Sequence, residues 1–418
     1  MRAHRLLTTA ASLLIVLLPM QAFAQEGPNN YDRQSNVSVR DRPRPDYDPI
    51  GVKLGGFDLQ GSLEGDAESN DNVFATESNA DSDTILYSSE AASLASHWSR
   101  HSLSFGAGGT QSHHNDFNRD DTNDDYLRAD GRLDIYRSTD AGAGVSMNDE
   151  HEARTDPDSP NNLAEPIQYS RDEQYAYIRH AFNRFRFTGR VTHSKWDYQD
   201  APLNGGGTLD QDFRDHDENS ADARVEVALT PRVAFLVDAN LNNRDYSGTG
   251  PLSLDSFGRT YSVGINFDLT NLVRGEFTIG TFDQDYKNPA LGKVDGTAYA
   301  AHVDWFPTQL TTVAFDVHRG VEESAIPGAS ILHTEEGVRI DHELLRNVIL
   351  TAGVRQAQRD YTGVARTDDT TSGDIGADYL VNRRVRLHAG YSFDHNSSNI
   401  PGEDFDVNRF SVGVSFHL

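Results

Sequence analysis

The sequence predicts an all-β chain: a closed, antiparallel, up-and-down transmembrane β-barrel of about 18 strands, with 16 as the neighbouring count. Three observations predict it. From Phe57 onward, apolar and polar residues alternate with a period of two, the mark of strands with one apolar and one polar face. The connections between those strands alternate between short turns and long polar links. Apolar residues make up 37% of the chain and mean hydropathy is −0.60. That value excludes a helical membrane protein but suits strands that show lipid at every second residue.

The elements follow in chain order. Arg2 and Arg5 precede an apolar run, Leu6 to Leu18, and Ala22-Phe23-Ala24 stands before Gln25. This pattern predicts a secretory signal peptide over residues 1–24. Residues 25–56 carry Pro28, Pro43, Pro45 and Pro49 among charges, too polar to bury a core. They are expected to form an extended periplasmic tail, acting as a spacer, a plug or a docking segment. The barrel is then expected over residues 57–418. Clear examples of alternation are Leu127 to Ile135, Tyr261 to Leu269, Val385 to Phe393 and the last strand, Phe410, Val412, Val414, Phe416 and Leu418. That last strand is the expected membrane-insertion strand. Outer-membrane barrels usually end on an aromatic residue, which here stands at Phe416.

Short turns are expected near Ser99, Ser138, Asn183, Pro231, Asn271, Pro307, Arg346 and Arg383. Long links run over Asn115–Asn123, Ala153–Ile167, Ala201–Asp215 and Tyr361–Thr370. Arginines flank the short turns, whereas acids crowd the long links, as in Asp210, Asp212, Asp215 and Asp217. Lys and Arg total 37 against 64 Asp and Glu, a net charge of −27. A nucleic-acid partner is thereby disfavoured. The chain has no cysteine, which excludes disulfides, thiol catalysis and zinc–thiolate sites.

The run Arg42-Pro43-Arg44-Pro45-Asp46-Tyr47-Asp48-Pro49-Ile50-Gly51 is followed by Leu54-Gly55-Gly56-Phe57, and Asn70-Asp71-Asn72-Val73-Phe74-Ala75-Thr76 comes after the first strand. With the barrel pattern, these segments resemble the beta-barrel porin 2 family of outer-membrane proteins. The resemblance implies a Gram-negative outer-membrane barrel, often associated with exopolysaccharide or capsule production. It implies no catalytic residues.

Enzyme signatures such as G-x-S-x-G and H-E-x-x-H are absent from the sequence, and no enzymatic activity is expected. His113-His114-Asn115-Asp116 and Asp116-x-Asn118-x-Asp120 are weak metal patterns, the second lacking the Gly and closing Glu of a calcium loop. No metal or cofactor is expected, apart from divalent cations shared between acidic outer loops and lipopolysaccharide. Strand parity assigns a set of charged side chains to the lumen: Arg128, Arg132, Arg190, Arg224, Asp238, Asp268, Asp304, Asp316, Arg339, Arg355, Asp378, Arg386 and Arg409. Mixed charge of this kind fits either a water-filled pore or a packed interior of ion pairs. Four Asp-Tyr pairs end outward-running strands. Their Tyr198, Tyr246, Tyr286 and Tyr361 fall on lumen parity and are expected as an aromatic ring at the outer mouth. The competing expectation is a lipid-facing belt produced by bulges.

These readings converge on a porin-like outer-membrane channel, serving exopolysaccharide export or diffusion of small hydrophilic solutes. Two alternatives stand beside it: a non-conducting structural or adhesion barrel, and an outer-membrane enzyme acting on lipid or glycan. The expected partners are outer-membrane lipid and lipopolysaccharide, the barrel assembly machinery and periplasmic polysaccharide-export components.

Overall fold

Period-two patterning becomes a ring of strands. A computed structural model describes residues 37–248, 253–269, 271–289, 291–326 and 329–418. The expected signal peptide and the first part of the tail lie outside the described residues. Eighteen long strands follow one another. They are β1 (Phe57–Asn70), β2 (Asp83–Ser96), β3 (Ser102–His114), β4 (Asn123–Tyr136), β5 (Thr139–His151) and β6 (Gln168–Phe182). Next come β7 (Phe185–Tyr198), β8 (His216–Thr230), β9 (Val233–Tyr246), β10 (Ser256–Leu269), β11 (Val273–Tyr286) and β12 (Lys293–Thr308). The ring ends with β13 (Thr311–Glu323), β14 (Ser330–Leu345), β15 (Val348–Thr362), β16 (Thr367–Asn382), β17 (Val385–Ser398) and β18 (Phe405–His417).

Each strand pairs antiparallel with the next, and β18 returns to pair with β1, Leu63 opposite Phe416 and Ser62 opposite His417. Closure leaves no edge strand, so every strand can bond to two neighbours where lipid offers no partner. The two faces separate cleanly. Leu127, Ile178, Val191, Ile375 and Phe410 are exposed on the outside, and cross-strand pairs such as Val263 with Ile279 stack there. The polar residues between them turn inward.

Eight short turns lie at one end of the barrel. Six of them have two residues, as after Phe182 and Asn382, and Asn183 takes a left-handed φ of 54°, a conformation asparagine tolerates. Nine longer links lie at the other end. The expected long link Tyr361–Thr370 is shorter than its composition suggests: β15 and β16 carry its polar residues in register, leaving residues 363–366 as the loop. In up-and-down outer-membrane barrels the short-turn end faces the periplasm.

Residues 37–56 are not an extended spacer. Val52–Leu54 pairs back onto the start of β1, and residues 37–48 fold in turns, with Tyr47 and Asp48 both donating backbone N–H to the Arg44 carbonyl. Val39 is fully buried between Ile349 and Leu380. Of the spacer, plug and docking readings the spacer fails, because the arginines pair with carboxylates 301 and 299 positions away.

Candidate pore and its two constrictions

The inner face is built by the residues that alternate with the lipid-facing ones. Arg128, Arg132, Arg190, Arg224, Asp238, Asp268, Asp304, Asp316, Arg339, Arg355, Asp378, Arg386 and Arg409 all share the parity opposite to the exposed apolar side chains of their own strands. Many of them pair. Arg224 forks between Asp238 at 2.5 Å and Glu276 at 2.9 Å. Arg274 meets Asp304 at 2.9 Å, His302 meets Asp316 at 2.6 Å, and Arg132 meets Asp134 at 3.0 Å. Arg190 lies over the Tyr175 ring at 3.9 Å and reaches Glu173 at 3.4 Å. Arg409 pairs with Asp394.

The wall is not packed shut. The side chains of Arg339 and Arg355 remain 46% and 49% exposed although both point inward. A guanidinium that keeps half its surface inside a barrel needs water there, since an unsolvated one would carry a large burial penalty. One dense polar knot sits on the seam. His388 of β17 reaches past Gly413 of β18 to bond Asp66 of β1, with Glu64 at 3.9 Å. A Cβ at Gly413 would displace the ends of both side chains, so glycine leaves the room in which they meet.

At the long-loop end, Tyr198, Tyr246, Tyr286 and Tyr361 point inward. The strand register around each is regular; the register shifts fall at the opposite end, such as that between Ala228 and Thr230. A bulge-made lipid belt is therefore excluded. An open aromatic ring does not form either, because loops cover these tyrosines. Arg214 of the loop 199–215 stacks on Tyr198 at 3.9 Å and pairs with Glu152. Burial pulls the Arg214 pKa down, but Glu152 and Tyr198 hold it above its ordinary value. Tyr286 packs with Leu254, Phe282, Leu291 and Val294, and Tyr246 packs on that cluster. Tyr169, Trp196, His216 and Tyr246 form a stacked row, with ring centroids 5.8, 5.7 and 4.4 Å apart in turn. Trp196 and His216 are members that the Asp-Tyr pattern misses. Their even-numbered parity with Tyr198 and Tyr246 carried the signal.

The loop 152–167 makes the outer constriction. It leaves β5, crosses to the opposite wall and returns to β6. On the far side Asp158 accepts the Tyr361 hydroxyl at 2.5 Å and the Ala325 backbone N–H at 2.7 Å. Arg366 donates to the Pro157 carbonyl at 2.6 Å, and Asn161 to the Gly402 carbonyl at 3.1 Å. On the near side Leu163, Ile167 and Ala201 pack into an apolar cluster, and Arg154 pairs with Asp120 at 2.7 Å. Burial pushes the Asp158 carboxyl above the usual carboxylate range, and neighbouring Asp156 pushes it further. A cavity of about 730 Å³ opens among these loops, lined by Asp158, Asp210, Phe213, Ile326, Arg366 and Glu403 among others.

The N-terminal segment packs against the inner wall at the short-turn end. Arg40 reaches Asp341 at 2.7 Å and Thr351 at 2.8 Å, while Arg42 and Arg44 meet Glu343 at 3.2 and 3.0 Å. Val39 donates its N–H to the Thr312 hydroxyl at 2.9 Å.

The weak metal patterns resolve into hydrogen bonds. Asp121 receives the His114 N–H and faces His113, and Asp120 holds Arg154. Among the described residues, two other groups bring three donors within 4.8 Å of one another: Glu64, Asp66 and His388 inside the wall, and the exposed loop acids Asp200, Asp210 and Asp212.

Among solved structures, OccK1 (OpdK) of Pseudomonas aeruginosa is 9% identical, with 86% of this chain and 99% of that one covered at a TM-score of 0.47. OccK2 (OpdF) of the same organism is 10% identical, covering 87% and 99% at a TM-score of 0.48. The copper transporter OprC is 10% identical, covering 88% and 82% at 0.46. No curated protein matches the chain. The family described as "Putative beta-barrel porin 2" matches residues 44–418. With nearly all of its described barrel inside that match, the chain belongs to this family of outer-membrane porins.

Proposed function

We propose that this porin-like barrel passes small hydrophilic solutes, neutral or cationic, rather than a polymer. The observation that carries the reading is the loop 152–167, which spans the outer mouth and is held on both walls. A solute the size of a mono- or disaccharide can pass beside such a bridge. A continuous polysaccharide chain would have to displace it. The carboxylates Asp158, Asp210, Asp212 and Glu403 around the outer cavity outnumber Arg366 there, which favours cations over anions. Half-exposed Arg339 and Arg355 support a wetted lumen in preference to a sealed one.

On this reading the inward charges replace part of a solute's hydration, and the exposed Asp200, Asp210 and Asp212 share divalent cations with lipopolysaccharide. The deciding experiment is swelling of proteoliposomes containing the purified barrel, with sugars of graded size. Entry of mono- and disaccharides with exclusion of long oligosaccharides is expected. Passage of long glycans would favour the export reading, and a barrel that neither swells vesicles nor carries current would favour a structural role.

A further inference from the structure

The arginines of residues 40–44 sit in a prepared site. Asp341 and Glu343 stand two apart on β14, so both carboxylates face inward, about 7 Å apart along the strand, and both are over nine-tenths buried. Thr312 and Thr351, from the strands on either side, add hydroxyls that bond Val39 and Arg40. Between the charges lies an apolar socket made by Ile349 and Leu380, which Val39 fills. Arg44 is itself buried and also donates to the Val39 carbonyl at 2.7 Å. The turn after β16 adds a clamp, Arg383 donating to the Pro45 carbonyl at 2.8 Å.

Two features set this contact apart from ordinary wall packing. Carboxylates this buried need a cation beside them; Glu343 receives Arg42 and Arg44 of the tail, and Asp341 is shared between Arg40 of the tail and Arg339 of its own strand at 3.4 Å. Among the described residues the segment continues into the barrel on one side of the contact, through residues 49–56, and residues 37–48 pair with no barrel strand.

We propose that the inner faces of β13 to β16 form, at the short-turn mouth, a binding site for an arginine-bearing peptide segment, that residues 37–48 fill it in cis, and that filling it narrows the pore. The narrowing rests on the channel reading above; the binding site does not. The ligand class follows from the site: guanidinium groups spaced two residues apart, preceded by one small branched apolar side chain.

The test uses the full chain. Since it holds no cysteine, Leu380→Cys introduces a single thiol beneath Val39. In otherwise unchanged protein this thiol is expected to react slowly with a maleimide. In the Arg40→Ala, Arg42→Ala, Arg44→Ala background it is expected to react about tenfold faster. Single-channel current should rise by about 1.5-fold in that triple variant. A synthetic peptide of residues 37–48, added from the short-turn side, should restore both slow labelling and the smaller current. Labelling at equal rates with and without the arginines, or no effect of the peptide, would overturn the binding site. Faster labelling with unchanged current would overturn the narrowing alone. Absence of current from every variant would overturn the channel reading, while the thiol and peptide arms would still decide the site.

Discussion

The two constrictions differ in how they are held. The loop 152–167 is covalently tied to β5 and β6 at both of its ends and grips the opposite wall through Asp158, Pro157 and Asn161. The N-terminal segment is tied at one end, lies against the single sector β13 to β16, and depends on three arginines facing Asp341 and Glu343. A loop fixed at both ends gives up little entropy when it docks, because its ends are already close. A one-ended tail gives up more and must recover it from ion pairs, whose strength varies with salt and competition. The difference teaches that the outer bridge suits a permanent size filter, whereas the inner segment suits a contact that can be exchanged.

The largest expected effect comes from removing the permanent element. Excising residues 155–161 and joining the cut ends with two glycines keeps β5 and β6 intact. Single-channel current should then rise about threefold, and the size limit in liposome swelling should move toward longer oligosaccharides. That increase should exceed the one produced by the tail arginine variants. Equal increases would break the proposed ranking of the two constrictions, and no increase would mean that the bridge does not limit flow.

Proton linkage provides a smaller, reversible handle on the same bridge. Burial raises the carboxyls of Asp156 and Asp158 above the usual range, and Glu403 beside Arg366 is likewise raised by burial. Docked carboxyls with raised pKa values bind protons more tightly than undocked ones. Lowering the pH through the docked values therefore strengthens docking, until the ordinary carboxylate pKa is reached and the gain levels off. Raising the pH weakens it. Brief excursions to a larger current should thus become about threefold rarer as the outer chamber is acidified from pH 8 to about pH 4, the ordinary carboxylate range. Asp156→Asn with Asp158→Asn should flatten that response, while the tail arginine variants should retain it. A slope of the opposite sign would show that the ionised carboxylates, not the protonated ones, hold the bridge.

Much of the barrel was readable from residue order because strand structure is local. Alternation over Tyr261 to Leu269 or Phe410 to Leu418 fixes which side chains meet lipid, and the parity that puts Val191 outside also puts Tyr198 inside. What those tyrosines touch was not readable. Tyr361 and its acceptor Asp158 are separated by 203 positions, and Arg44 and Glu343 by 299. A polar contact at such separation leaves no period in the sequence, since either partner alone looks like a solvated charge. The Asp-Tyr pattern thus located the right side chains and suggested the wrong company for them: loop backbone and carboxylates cover rings that were expected to stand open. The Arg/Pro composition of the tail likewise marked it as a binding segment without showing that its site lay in the same chain.

The smallest expected effect tests a single atom of the bridge. Tyr361→Phe removes the hydroxyl that Asp158 accepts at 2.5 Å but keeps the ring under Arg366, which lies 5.0 Å from its centroid. A hydrogen bond contributes about 0.5–1.5 kcal/mol net, so the undocked fraction of the loop should grow by roughly two- to tenfold. If the bridge is docked nearly all the time, that growth starts from a very small population, and mean current should change by less than about a tenth. The signal belongs in the noise: brief excursions to a larger current should become roughly two- to tenfold more frequent in single-channel records. Mean current rising as far as in the excised loop would show that Tyr361 alone holds the bridge. Excursions at the original frequency would show that Ala325, Arg366 and Asn161 hold it without Tyr361.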